Sequence, residues 1–183
     1  MSIFGTARLV MVFDCLWALP RLVGLLGVSV KDKTACLWDD GEVVFTATAR
    51  EHIAIAVRNT LLKPAETANS VLHISSVECS LSDILATAKK ISGSEDWTVT
   101  YGDSAEQIAQ AKHDRQHGKT VGSRMMALGR LALLVNLREE CEPNFKRRGV
   151  LDNEVLGVPE LPFEVVLRQA FAEERSDQID YVI

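Results

Sequence analysis

The sequence predicts an α/β fold, and three observations carry that prediction. β-rich runs alternate with stretches of helical periodicity between Thr34 and Tyr101. Capping residues and breakers separate those stretches at Ser80, Pro64 and Gly93. The 183 residues, 47% of them hydrophobic and 25% charged, suffice for a core that needs no disulfide or metal staple.

In chain order, Leu9–Val30 is the most apolar segment and reads as a buried helix. Asp14, Pro20 and Arg21 interrupt it, leaving no run of about 18 apolar residues for a membrane span. A lone Arg8 and the early Asp14 also make it a poor signal peptide. Thr34–Trp38 and Val43–Thr46 flank Asp39-Asp40-Gly41, a turn sequence that predicts a hairpin. Thr48 and Glu51 have capping-box spacing. Ile53, Ala56, Val57, Thr60 and Leu61 then share one helical face up to Pro64.

Val71–Ser75 reads as a short buried strand. Ser80 is a candidate cap for a helix that buries Leu81, Ile84, Leu85, Ala88 and Ile91, and Gly93 ends it in a left-handed conformation. Trp97–Tyr101 is a further strand. Ser104–His117 predicts a polar, solvated helix, and Met125–Leu137 one so apolar that it calls for cover all round. The last helix begins near Pro162 and places Phe163, Val166, Leu167, Ala170 and Phe171 on one face. Residues 175–183 read as a loose tail.

Twenty basic and 25 acidic residues give a net charge of −5, a balance unsuited to coating a nucleic-acid duplex. Neither nucleic acid nor membrane is an expected partner. Cys15, Cys36, Cys79 and Cys141 form no C-x-x-C pair and predict reduced thiols in a cytoplasmic protein.

Local chemistry is sparse. His113 and His117 share a helix face, but Asp114-Arg115-Gln116 between them is not the zinc-protease pattern, and a solvated face accounts for the pair. No metal site is therefore assigned. His52 and His73 read as capping or packing residues, and Lys146-Arg147-Arg148 as an exposed loop. Asp39/Asp40, Glu139/Glu140 and Glu173/Glu174 are sequence neighbours whose side chains point apart, so none is an acid/base dyad. Ser75 and Ser76 lack a nucleophile elbow. Gly24 and Gly27 lack the third glycine of a dinucleotide loop.

The order of segments nevertheless resembles a known family. Val43–Val57, Leu61–Ser75, Val77 through Gly93 and Trp97–Val99, with the Asp39-Asp40-Gly41 turn, resemble successive steps of NmrA-like and isoflavone-reductase-like proteins. The likeness spans about residues 10 to 172. It implies an atypical short-chain-dehydrogenase-related oxidoreductase using NADPH on an aromatic or polyketide-like small molecule in secondary metabolism. The implied fold is a partial Rossmann-like sheet with a helical substrate-side lobe.

Members of the family carry a G-x-x-G-x-x-G turn and a proton-transferring lysine upstream of the matching segments. Neither maps onto any residue here, so no catalytic or cofactor-binding residue is assigned. The expectation is one NmrA-like domain over residues 1–183 without the dinucleotide-binding half. Such a piece would leave a sheet edge for a protein partner to cover. If the opening helix lies over the substrate, Phe13 and Trp17 form an aromatic wall; core packing explains their spacing as well. Met125 and Met126 are open to the same two readings, an adaptable lid or core. A non-catalytic binding or regulatory module is the alternative to an enzyme.

Overall fold

The computed structural model describes residues 8–11 and 27–175. Seven strands and seven α-helices lie among them. The order is β1 (Arg8–Met11), β2 (Val28–Ser29), β3 (Thr34–Trp38), β4 (Phe45–Ala47), α1 (Arg50–Leu62), α2 (Pro64–Thr67), β5 (Val71–Ile74) and β6 (Val77–Cys79). Then come α3 (Leu81–Ser92), β7 (Thr98–Gly102), α4 (Ser104–His117) and α5 (Val121–Leu134). Two 3-10 turns, Val135–Leu137 and Glu139–Cys141, precede α6 (Asn153–Leu156) and α7 (Phe163–Arg175).

The α/β class holds. β1 pairs parallel with β5, and β3 parallel with β7. Parallel neighbours need long crossovers, and the helices between them supply these. β2 adds to β3 antiparallel, giving the order β2-β3-β7, while β4 pairs antiparallel with β6.

The expected hairpin between Thr34–Trp38 and Val43–Thr46 does not form. Phe45 lies opposite Cys79, not opposite β3. Asp39 adopts φ 56° and Gly41 φ 75°, which turns the chain out of the sheet. The Asp39 carboxylate then accepts the Ser104 backbone N–H at 2.9 Å and the Ser104 hydroxyl at 2.6 Å. The end of β3 is thereby tied to the start of α4.

The Thr48/Glu51 cap is also absent. Thr48 is buried and its hydroxyl donates to the Ile74 carbonyl at 3.3 Å, so Ala49 occupies the cap position of α1. The Ser80 cap does form, as a full box with Asp83: each side chain accepts the other residue's backbone N–H. Gly93 closes α3 with φ 64°.

Two apolar clusters hold the fold. The larger joins Val28, Phe45 and Cys79 of the strands to Leu81 and Ile84 of α3, Leu134 of α5, and Val166, Leu167 and Phe171 of α7. The smaller packs Ala56 of α1 on Leu72 and Ile74 of β5 and on Leu156 of α6. The expectation that α5 is covered all round fails. Ala127, Leu133 and Leu134 are buried, but Met125 and Met126 are 60% and 63% exposed. α5 lies along α4, whose only fully enclosed side chains are Ser104 and Ala111, and so it gains cover on one side.

Candidate functional site

In open α/β sheets, ligands bind beyond the carboxyl ends of parallel strands. Here β5 runs out into Ser75-Ser76, and a cleft of about 200 Å³ opens beside them. Its lining includes Ser75, Ser76, Glu78, Lys146, Asn153 and Phe163.

Each group is placed by a traceable contact. The segment Leu151-Asp152-Asn153 behaves as a short strand edge beside β5. The Asp152 N–H donates to the His73 carbonyl at 2.8 Å, and the His73 N–H donates to the Asp152 carboxylate at 2.8 Å. The Asn153 amide then clasps the Ser75 backbone, accepting its N–H at 3.1 Å and donating to its carbonyl at 2.7 Å. Pro143, whose carbonyl accepts the N–H and the hydroxyl of Thr46 in β4, anchors the loop that carries Lys146.

The polar lining is self-satisfied. The Ser75 hydroxyl donates to the Val77 carbonyl at 2.9 Å. The Ser76 oxygen accepts the Ala49 N–H at 2.7 Å and lies 2.7 Å from His52 Nδ1. Burial, partly opposed by the Glu51 carboxylate, holds the His52 imidazole below its ordinary value. The two share one hydrogen bond, whose donor is set by the imidazole tautomer. On the rim, Lys146 Nζ sits 3.2 Å from Glu78 and 3.7 Å from Glu160. The hydrogen bond to Glu78, then the two carboxylate charges, hold its ammonium above the usual lysine value.

A serine beside a neutral histidine is the ordinary beginning of an activated nucleophile. Here the pair does different work: Ser76 reaches from the β5–β6 turn to stand in for the missing cap of α1. The sequence carried no sign of this, because Ser76 and His52 are brought together only by the docking of α1 on β5.

A dinucleotide pyrophosphate needs free backbone N–H groups at a glycine turn or helix start. At this strand end the Ser75 N–H goes to Asn153, the Ser76 N–H to the Ala47 carbonyl at 2.8 Å, and two carboxylates stand on the rim. This strand end does not fit that group.

The remaining candidates separate. Phe13 and Trp17 lie outside the described residues, as do 176–183 of the tail. His73 packs edge-on against Phe145, with ring centroids 4.9 Å apart. Lys146, Arg147 and Arg148 are ion-paired, Arg147 with Glu139 at 2.6 Å and Arg148 with Glu142 at 3.7 Å. Glu140 is engaged by Arg138, and Asp40 accepts the Glu42 N–H. His113 and His117 stack on the outside of α4. Met125 and Met126, with Val121 and Leu128, form an exposed apolar face on α5. Among the described residues, no helix is long and apolar enough to cross a membrane.

No family model matches the chain. Over 101 residues, 55% of this chain, it is 34% identical to a curated protein named oxidoreductase aprR from Aspergillus flavus. The match spans about a third of that relative's length, 34%. A solved nucleoside-diphosphate-sugar epimerase of Staphylococcus aureus aligns with 90% of this chain and 50% of its own, at TM-score 0.43 and 16% identity. Likeness at that level supports no conclusion.

Proposed function

We propose that this chain supplies the substrate side of an NAD(P)H-dependent oxidoreductase of the NmrA-like and isoflavone-reductase-like type. Its substrate is an aromatic or polyketide-like metabolite, its setting secondary metabolism, and its compartment the cytoplasm. The observation that carries this reading is the 34% identity to a protein named an oxidoreductase. The exposed methionines of α5 support the substrate class, because flexible thioethers adapt to flat apolar rings. NADPH is the coenzyme that the family resemblance implies; the end of β5 offers it no seat, and the chain's own part is to bind and orient the substrate.

A second reading is a non-catalytic binding module whose partner is a protein. Its support is the full internal pairing of the Ser75, Ser76 and Asn153 side chains, and the position of β7 at the edge of its sheet with Tyr101 71% exposed. The purified chain is titrated calorimetrically with NADPH and with a panel of hydroxylated aromatics. Saturable uptake of an aromatic supports the first reading. If neither class binds and a stoichiometric protein partner co-purifies from the native host, the second replaces it.

A further inference from the structure

We propose that the outer edge of β7 pairs antiparallel with β7 of a second copy of this chain, about a two-fold axis at Thr100. Among the described residues β7 has β3 on one side and no strand on the other, while β2 at the far edge of that sheet has only two residues. Thr98, Thr100 and Tyr101 are exposed. Val99 packs from one face onto the larger apolar cluster, which holds the strand in place.

Two hydrogen bonds settle which backbone groups lie on the open edge. The Thr98 N–H donates to the Lys33 carbonyl at 2.9 Å, and the Gly102 carbonyl accepts the Asp39 N–H at 2.7 Å. Successive residues of a strand turn their backbone groups to opposite edges. Thr98, Thr100 and Gly102 therefore face β3, and the N–H and carbonyl of Val99 and of Tyr101 face outward.

This edge is complementary to itself. In an antiparallel pair, directly opposed residues alternate between exchanging both N–H···O bonds and exchanging none. With Thr100 opposite Thr100 of the second copy, each Val99 faces the other copy's Tyr101 and exchanges both bonds with it. Every outward group of the strand is then used. A shift of two residues would set Val99 or Tyr101 against no residue of the strand. The side chains agree: Val99 lies beside Tyr101 on one face, a β-branched and aromatic pair, and threonine meets threonine on the other. Sheet edges are commonly guarded by lysine or proline, and Thr98–Gly102 contains neither, nor any charge. Asp96 and Asp103 stand beyond its ends, and Asp103 is drawn into the cap of α4, where it accepts the Glu106 N–H at 2.9 Å. The pairing requires neither substrate nor coenzyme, so it stands or falls apart from the oxidoreductase reading.

Sedimentation velocity of the reduced, tag-free chain over about a hundredfold range of concentration should show a monomer–dimer equilibrium. Tyr101→Pro removes an outward N–H and spares the bonds to β3, so its dimer should be at least about tenfold weaker with unchanged circular dichroism. Thr100→Cys reads the register without relying on that proline. It is made together with Cys15→Ser, Cys36→Ser and Cys141→Ser, because Cys36 faces Thr100 across β3 and Cys141 is exposed. Opposed residues that exchange no hydrogen bond stand about 4.5 Å apart at Cα, so oxidised glutathione should link two such chains. Thr98→Cys in the same background should not link, because Thr98 of one copy faces Gly102 of the other. A monomer at every concentration overturns the pairing. So does a dimer that Tyr101→Pro leaves intact, or a Thr98→Cys chain that links as readily as Thr100→Cys.

Discussion

His52 is a buried titratable group whose ring nitrogen does a structural job. Its Nδ1 is hydrogen-bonded to the Ser76 hydroxyl, and Ser76 in turn takes the Ala49 N–H at the start of α1. Burial lowers the folded-state value below that of the unfolded chain, near 6.5. Between the two values the unfolded state binds more protons, so stability rises with pH there. The contribution is complete above about pH 6.5 and is lost as pH falls toward the folded value. Thermal melts from about pH 7.5 down to 5 should therefore show a falling Tm, with a shallower slope for His52→Gln. Equal slopes in the two proteins would remove His52 as the cause. Cys79 shows the same physics with the opposite sign: burial, then Asp83 and Glu78, push its thiol far up and leave it unreactive.

At the scale of elements, the local signals were legible and the pairings were not. Ser80 and Gly93 could be read from the sequence because a cap depends on its own few residues. The box with Asp83 satisfies two backbone N–H groups at once: Ser80 N–H to Asp83 at 2.9 Å, and Asp83 N–H to Ser80 at 3.1 Å. Ser80→Ala should cost about 1 kcal/mol, since the cap hydroxyl is buried and has no replacement. Chemical denaturation measures this as a shifted midpoint with an unchanged m-value; a change within error would show that α3 is held by packing alone. The hairpin failed for the reason the cap succeeded. Thr34–Trp38 pairs with Thr98–Gly102, far along the chain, and nothing local in Asp39-Asp40-Gly41 announces it. At the end of that pairing Gly102 lies under the Trp38 ring, where a Cβ would come within 2.5 Å of it. Thr48 was misread for a related reason: a capping motif states which bonds are available locally, and the Ile74 carbonyl claimed the hydroxyl from another element.

At the scale of the whole molecule, the distribution of apolar surface is what links fold to function. The two clusters draw on β2 to β6, α3, α6 and α7, and α5 gives Leu133 and Leu134 to the larger one, yet α5 keeps Val121, Met125, Met126 and Leu128 in contact with water. An apolar count along α5 signalled burial, because the sequence shows how much oily surface a helix has and not what covers it. Under the proposed function this exposed apolar face meets the aromatic substrate. The native chain should then bind an environment-sensitive apolar dye, and a hydroxylated aromatic from the calorimetric panel should displace it. The double substitution Met125→Glu, Met126→Glu should abolish dye uptake with little change in Tm, because both side chains already face solvent and leave no cavity behind. Dye that stays bound to the double variant would place the apolar surface elsewhere. Dye abolished by the substitution but never displaced by aromatics would keep α5 as an interaction face and transfer it from the substrate to a protein.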